Sequence, residues 1–416
     1  MIYSSPFVFM EECKSRFLLV LYNATHEQLN FLISNFVGTI ANNVIPLNYT
    51  NYTYIYLGGD ISGIACSIEH SLENIFVIKD LSKNYENYPF QTIDIGMVPI
   101  NVHNVGVLFP RCFGPNNFQK ISQEHRFQSL TESTKETNAF RKGIYLTNVK
   151  ETGLGTEFNL LRCSTNLDGP TENFTKTDQE IVNTWKKKKK MVYPYSHELN
   201  HVLAQIYTNF YDNGKPKKAK ISRHSDKTKD MPENGLIAFC TFYESMKNAK
   251  NIGFDYFYRK CPKESNSVLT TLCFELKKQV LDTSFTREFS VKLYPDSVFI
   301  IPLSTNRFYT HSICPSTLPI EELPTRMGYV VRCSNRPAVY KDGQVYIKED
   351  SNLVEMHSMT SEEMTNLKDS YFQENTSIKI ISYDKFYSSM NKGDYKCPKL
   401  WKFTRYKRWN FTRYNV

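Results

Sequence analysis

The chain has 416 residues, 41% hydrophobic, 14% aromatic and 22% charged, with a net charge of +9, a pI near 8.8 and a mean hydropathy of −0.45. That is enough apolar sequence for a packed core and enough length for about two domains at roughly 100–200 residues each, which excludes a disordered chain. No stretch approaches the roughly 20 apolar residues of a membrane span, and the segment Met1 to Glu12 lacks the basic-then-apolar order of a secretory signal, so an intracellular protein without a membrane segment is expected.

Residues 1–110 mix apolar runs, Phe17–Tyr22 and Ile75–Ile78, with Gly and Asn turns. A helix is expected over Glu27–Phe36, where Leu29, Leu32, Ile33 and Phe36 share one face. Gly58-Gly-Asp-Ile-Ser-Gly63 lacks the lysine and spacing of a phosphate loop and reads as a turn. Residues 115–140 are polar and read as loop or helix surface. Trp185 is followed by five lysines, Lys186 to Lys190. Their mutual repulsion predicts an exposed basic linker over 186–192, after an N-terminal region 1–185 of unassigned role, with a phosphate-contacting or nuclear-targeting patch as the functional alternative. The ten cysteines include no Cys-x-x-Cys pair, so neither a zinc ribbon nor a redox motif is indicated and reduced thiols are expected. Asn-x-Ser/Thr triplets at Asn48, Asn51 and Asn173 are by-products of an Asn-rich composition.

His197-Glu198-Leu-Asn-His201 fits His-Glu-x-x-His, in which a helix places two imidazoles on zinc and the glutamate activates water. The alternating, β-branched and aromatic run from Asn200 to Tyr207 predicts strand instead, so the two imidazoles do not stack and a zinc protease is the weaker reading.

Lys220-Ile-Ser-Arg-His224-Ser-Asp226 places a histidine and an aspartate two apart, so in an extended segment both side chains leave one face and can grip one ion. A second apolar strand is expected over Ser297–Leu303, followed by strand and turn ending at His311. Two imidazoles and one carboxylate suit Fe(II) with coordination positions left for a chelating cosubstrate and O2. Arg326 and Arg332 are separated by an even count, so in a strand both guanidiniums point to one side, toward a shared anion. Guanidinium grips carboxylate in a planar, bidentate way, which suits a dicarboxylate such as 2-oxoglutarate. His-x-Asp alone is a weak signal; the order His-x-Asp, apolar strand, His, spaced arginines carries it.

Asn200–Tyr207, Ile221–Asp226, Leu236–Phe242, His311 and Arg326–Arg332 together resemble the AlkB-type 2-oxoglutarate- and Fe(II)-dependent dioxygenases. The resemblance covers about residues 194–336. It implies an α+β protein whose core, 193–340, is a double-stranded β-helix (jelly-roll), joined to an N-terminal α/β region and a C-terminal extension, 341–416. It implies that His224, Asp226 and His311 hold Fe(II), and that Arg326 and Arg332 contact 2-oxoglutarate, Arg332 at its distal carboxylate. The family's Asn-x-Tyr divides here. Gln205-Ile-Tyr207 keeps the distance from Asn200, while Asn209-Phe-Tyr211 keeps the residue types; strand alternation puts Tyr207, Asn209 and Tyr211 on one face, and Asn209 with Tyr211 is preferred. The long span from Asp226 to His311 implies an insertion around Cys261–Leu272.

Lys215–Lys220 forms a basic cluster just before the metal ligands, which favours a polyanionic substrate. Trp401–Tyr414 repeats Phe-Thr-Arg-Tyr with bases and aromatics interleaved, a composition equally suited to single-stranded nucleic acid and to an edge hairpin packed on the core. The expected activity is oxidation or demethylation of a modified nucleic-acid base, flipped out or single-stranded, with Fe(II), 2-oxoglutarate and O2. Competing readings are a protein side-chain hydroxylase on the same core and a silent core that binds nucleic acid.

Overall fold

The computed structural model describes residues 12–26, 28–42, 51–62, 72–132, 135–161, 167–245, 268–383 and 385–400. The first strands, β1 (Phe17–Tyr22), β2 (Thr39–Asn42), β3 (Tyr54–Gly59), β4 (Ile75–Ile78) and β5 (Gln91–Ile93), form a parallel sheet in the order β2-β1-β3-β4-β5. Phe17 to Leu21 are all buried, as expected of a parallel strand covered on both faces. Phe17, Leu19 and Tyr56 join the main core, whereas Leu18, Val20 and Leu57 pack on the opposite side. The helix expected over 27–36 is α1 (Leu29–Asn35), with Glu27 outside the described residues. Gly58 and Gly59 still belong to β3, so the expected turn begins later, and Gly63 lies outside the described residues. Gly59 takes φ +92° where a Cβ would come within 1.7 Å of the Tyr22 carbonyl oxygen, so only glycine lets the chain pass.

A nine-stranded sheet dominates the molecule. It contains β6 (Ile100–Val102), β7 (Gly106–Phe109), β8 (Gln128–Glu132), β9 (Lys135–Thr147), β12 (Glu172–Asn173), β13 (His201–Tyr207), β17 (Leu236–Tyr243), β20 (Ser297–Pro302) and β22 (Arg326–Arg332). Its path is β12-β9-β13-β22-β17-β20-β7-β6, with β8 beside β9. Strands from before residue 186 therefore complete the same sheet as β13 and β22. Every residue of β17 is buried, at the centre of the sheet.

A four-stranded sheet, β16 (Ile221–His224), β21 (Tyr309–Ile313), β18 (Thr271–Leu276) and β19 (Glu288–Lys292), in the order β16-β21-β18-β19, packs against it. Phe274 meets Phe299 at 5.8 Å between ring centroids, and His311 meets Phe239 at 5.4 Å. The hairpin β14 (Phe210–Asp212) and β15 (Lys215–Lys217) stands apart, and β10 (Lys150–Thr152), β11 (Gly155–Leu160), β23 (Arg336–Lys341), β24 (Gln344–Glu349) and β25 (Asn352–Glu355) form a fifth sheet. No helix among the described residues is long and apolar enough to cross a membrane.

The lysine run departs from expectation. It forms the last turns of α3 (Lys176–Val192), which follows α2 (Asn117–Glu124) and starts at a capping box made by Thr175 and Asp178. A helix spreads successive side chains about 100° apart, so neighbouring charges need not face one another. Lys187 and Lys190 are exposed, whereas Lys188 is buried with Nζ 5.0 Å from the Phe109 ring centroid, and Lys189 donates to the carbonyls of Ser196 at 2.6 Å and His197 at 2.8 Å. Residues 115–140, expected as polar surface, form α2 and then β8 and the start of β9. Of the insertion, 261–267 lie outside the described residues, as does the tail 401–416.

Candidate metal and cosubstrate site

His224 ends β16 and His311 sits at the middle of β21, directly across from it. The segment before His311 is not strand and turn: α4 (Leu303–Phe308) intervenes, and β21 begins at Tyr309. The two imidazole centroids are 4.4 Å apart. Asp226 Oδ1 lies 3.6 Å from His224 Nε2 and 3.7 Å from His311 Nε2. One ligand atom from each of the three residues falls within 4.8 Å of the others, the one such group found among the described residues.

The donor atoms are prepared for a cation. His224 Nδ1 lies 2.8 Å from the Ser222 carbonyl and donates to it, which leaves Nε2 with its lone pair. Burial, with the neighbouring imidazole of His224 and the positive charge of Arg332, pushes His311 down to about 3, so its imidazole is neutral at ordinary pH. Burial alone would raise Asp226, but Arg332 and the two imidazoles outweigh it and hold the carboxyl well below the usual range. Two imidazoles and one carboxylate on a small patch fit a divalent iron.

Arg332 joins this cluster. Its Nε and Nη2 both donate to Asp226 Oδ2, at 3.0 and 2.6 Å, so Oδ1 is the oxygen left toward the imidazoles. The expectation that Arg332 meets a distal carboxylate is therefore corrected: it is occupied by Asp226, and the even spacing gave a shared face without a shared anion.

Arg326, at the other end of β22, lies with its guanidinium carbon 4.4 Å over the Tyr207 ring. The group folds back over Gly328, where an added Cβ would sit 3.1 Å from Arg326 Nη1 and 3.3 Å from the Tyr207 ring. Gln205 and Thr241 flank Gly328 on β13 and β17. Gln205 Nε2, Thr241 Oγ1 and the nearby Arg141 Nε are buried and lack a hydrogen-bond partner among the described residues. These three groups and the stacked guanidinium of Arg326 are a donor set suited to an anion. Leu203, Phe239 and Val330 line the cleft of about 1180 Å³ that holds both ends.

The preferred Asn209 and Tyr211 are not in it. β13 ends at Tyr207 and the chain leaves onto the β14–β15 hairpin, so the expected common face stops there. Asn209 Oδ1 accepts from Ala219 N at 2.8 Å, and the exposed Tyr211 donates to Glu321 at 2.9 Å. Tyr207 is buried and donates to Gln205 Oε1 at 2.7 Å. Thr241 and Gly328 carried only a faint sequence signal, a polar or missing side chain on the inward parity of an apolar strand. The zinc motif does not assemble: His197 and Glu198 are exposed on irregular chain, Glu198 pairs with Lys186 at 2.8 Å, and His201 is buried at the start of β13.

No family model and no curated protein matches the chain. Among solved structures it is similar to a Pseudomonas putida prolyl-4-hydroxylase, with 10% identity over 55% of this chain and 91% of that one at a TM-score of 0.30. It is also similar to the epimerase SnoN in complex with Fe3+, alpha-ketoglutarate and nogalamycin RO, with 8% identity over 57% and 81% of the two chains at a TM-score of 0.32. A further structure of SnoN, the non-heme alpha-ketoglutarate-dependent epimerase from nogalamycin biosynthesis, matches at 9% identity, 57% and 79% coverage and a TM-score of 0.32. Likenesses this distant carry no weight for the chemistry, for which the side chains of the cleft are the argument.

Proposed function

We propose that this chain is a 2-oxoglutarate- and Fe(II)-dependent oxygenase on a double-stranded β-helix core of the AlkB type, acting on a modified nucleic-acid base. The observation that carries the reading is one cleft with a His224, Asp226 and His311 donor set at one end and buried donors gathered around Arg326 at the other. His224, Asp226 and His311 would hold Fe(II), which would supply oxidation by O2 coupled to decarboxylation of 2-oxoglutarate. Arg326 binds the distal carboxylate, and Tyr207 holds its guanidinium by stacking. Gln205 and Thr241 donate to the same carboxylate. Arg332 keeps Asp226 ionised and turned toward the imidazoles, and Leu203, Phe239 and Val330 exclude water between the two ends.

The nucleic-acid assignment is supported by charge at the mouth. Lys217, Lys218, Lys220 and Arg223 line the cleft, from the end of the hairpin through its link to the strand that carries His224. Such a rim neutralises phosphates while the base enters. The test is formation of succinate and formaldehyde from N-methylated oligonucleotides with Fe(II) and 2-oxoglutarate, beside His224→Ala. Both products are expected from the native chain and neither from the variant. Turnover on peptides alone would move the assignment to a protein side-chain hydroxylase, and product that survives His224→Ala would remove the metal site.

A further inference from the structure

The backbone between the two ligands of the His-x-Asp segment is held by side chains from distant parts of the chain. Asn306, from α4, accepts from Asp226 N at 2.8 Å through Oδ1 and donates to Asp226 O at 3.0 Å through Nδ2. Asn375 lies near the end of α5 (Ser361–Thr376). It accepts from Ser225 N at 2.8 Å, and its own amide donates to the Tyr371 carbonyl at 3.1 Å, one turn back in the same helix. α5 grips the following residues too. Glu374 accepts from Thr228 N at 3.1 Å and from the Thr228 hydroxyl, and Lys227 donates to Tyr371 O at 3.1 Å with its Nζ 4.7 Å from the Tyr371 ring centroid. Lys277, beyond β18, ties the end of α5 through Glu374 O at 2.5 Å and Ser377 O at 3.0 Å.

β16 ends at His224, so Ser225 and Asp226 have no strand neighbour to satisfy their backbone groups. The two asparagine side chains stand in for that neighbour. Ser225 is itself buried, and its hydroxyl donates to Tyr309 O at 3.2 Å, so the turn is anchored to the strand that carries His311.

We propose that Asn375 is a positioning residue and that α5, outside the core, sets the affinity of the metal site by fixing the Ser225–Asp226 turn in advance of metal binding. The inference rests on His224, Asp226 and His311 being metal ligands, as argued above. A turn already in place loses no conformational entropy when the ion arrives, whereas a loose one must be ordered at that moment. Losses of metal affinity on removing a hydrogen-bond partner that orients a ligand run to roughly 10–100-fold.

The test is titration of metal-free full-length protein with Co(II), read by its visible absorption, for the native chain, Asn375→Ala, Asn375→Asp and His224→Ala. Asn375→Asp keeps the acceptor for Ser225 N. The proposal expects Asn375→Ala to bind about tenfold or more weakly with an altered Co(II) spectrum, and Asn375→Asp to restore affinity to within about threefold. Native affinity and spectrum in a folded Asn375→Ala would overturn it. Absence of Co(II) binding by the native chain, or binding untouched by His224→Ala, would instead overturn the metal-site reading. Hydrogen exchange on the metal-free native chain supplies a check independent of any variant: the Ser225 and Asp226 amides are expected to be protected before metal is added, and unprotected exchange there would overturn the positioning role.

Discussion

Arg332 donates twice to a single oxygen of Asp226, Nε at 3.0 Å and Nη2 at 2.6 Å, and so decides which oxygen faces the imidazoles. Both side chains are nearly buried, at 5% and 10% exposure. Arg332→Gln leaves a buried carboxylate without its cation, and the expected loss of unfolding free energy in urea is about 3–5 kcal/mol. Arg332→Lys is expected to recover only part of it, because an ammonium does not reproduce the planar fork. A change below about 0.5 kcal/mol in Arg332→Gln would mean that the pair does not hold the carboxylate.

Arg326 and Tyr207 make the opposite end of the cleft. Arg326→Gln removes charge-assisted hydrogen bonds worth about 1.5–3 kcal/mol each, so the KM for 2-oxoglutarate is expected to rise at least tenfold. Gly328→Ala is expected to act in the same direction, since its Cβ would press on Arg326 Nη1 and the Tyr207 ring. Tyr211→Phe is expected to leave KM unchanged; a rise there like that of Arg326→Gln would return the cosubstrate contact to Tyr211.

Metal binding itself is measurable without turnover. At about 100 times its dissociation constant a ligand that binds only the folded state stabilises it by about 2.7 kcal/mol. Mn(II) is expected to raise the melting temperature of the native chain and to leave that of His311→Ala unmoved. An equal rise in both would place the ion elsewhere.

A buried histidine away from the cleft makes stability depend on pH. His125 lies between Glu172, at 3.0 Å from Nδ1, and Asp178, at 2.7 Å from Nε2, and Asp178 also accepts from Tyr329 of β22 at 2.8 Å. Burial opposes the charged imidazole, but the two carboxylates outweigh it and push His125 from 6.5 up to about 9. The folded protein keeps a proton that the unfolded chain releases above pH 6.5, so the stability from this group is full below that pH and is lost as pH rises through about 9. Urea midpoints are expected to fall across that window, and to fall less in His125→Gln. Equal slopes in the two proteins would show that the imidazole is not the cause.

The lysine run separates two classes of position on α3. Lys188→Glu places a carboxylate against the Phe109 ring in a buried site, and a loss above about 2 kcal/mol is expected. Lys187→Glu, on the exposed side, is expected to stay within about 0.5 kcal/mol. Equal effects would return the run to solvent.

Local pattern was enough to single out His224, Asp226 and His311, which the fold brings within 4.8 Å of one another. The even spacing of Arg326 and Arg332 reports a shared strand face, because a strand alternates its side chains by geometry alone; His224 ends β16 and Asp226 lies beyond it, so their meeting also depends on tertiary contacts. The alternation from Asn200 to Tyr207 likewise identified β13 and disfavoured the zinc motif. The same alternation failed past Tyr207, where the sheet ends and Asn209 and Tyr211 follow a hairpin. Like-charge repulsion failed at Lys186–Lys190, where a helix disperses what a linear reading stacks.

Partners were beyond the sequence. Periodicity says which way a side chain leaves its own strand, but not what meets it, and the groups that meet here come from far along the chain: Asn306 is 80 residues from Asp226, Asn375 is 150 from Ser225, and Arg332 is 106 from Asp226. From the sequence alone came the expectation of a metal-ligand triad and of two arginines on one face. Only the packing of two sheets and α5 determined that Arg332 pairs with Asp226, that Arg326 stacks on Tyr207, and that two asparagines hold the backbone of Ser225 and Asp226.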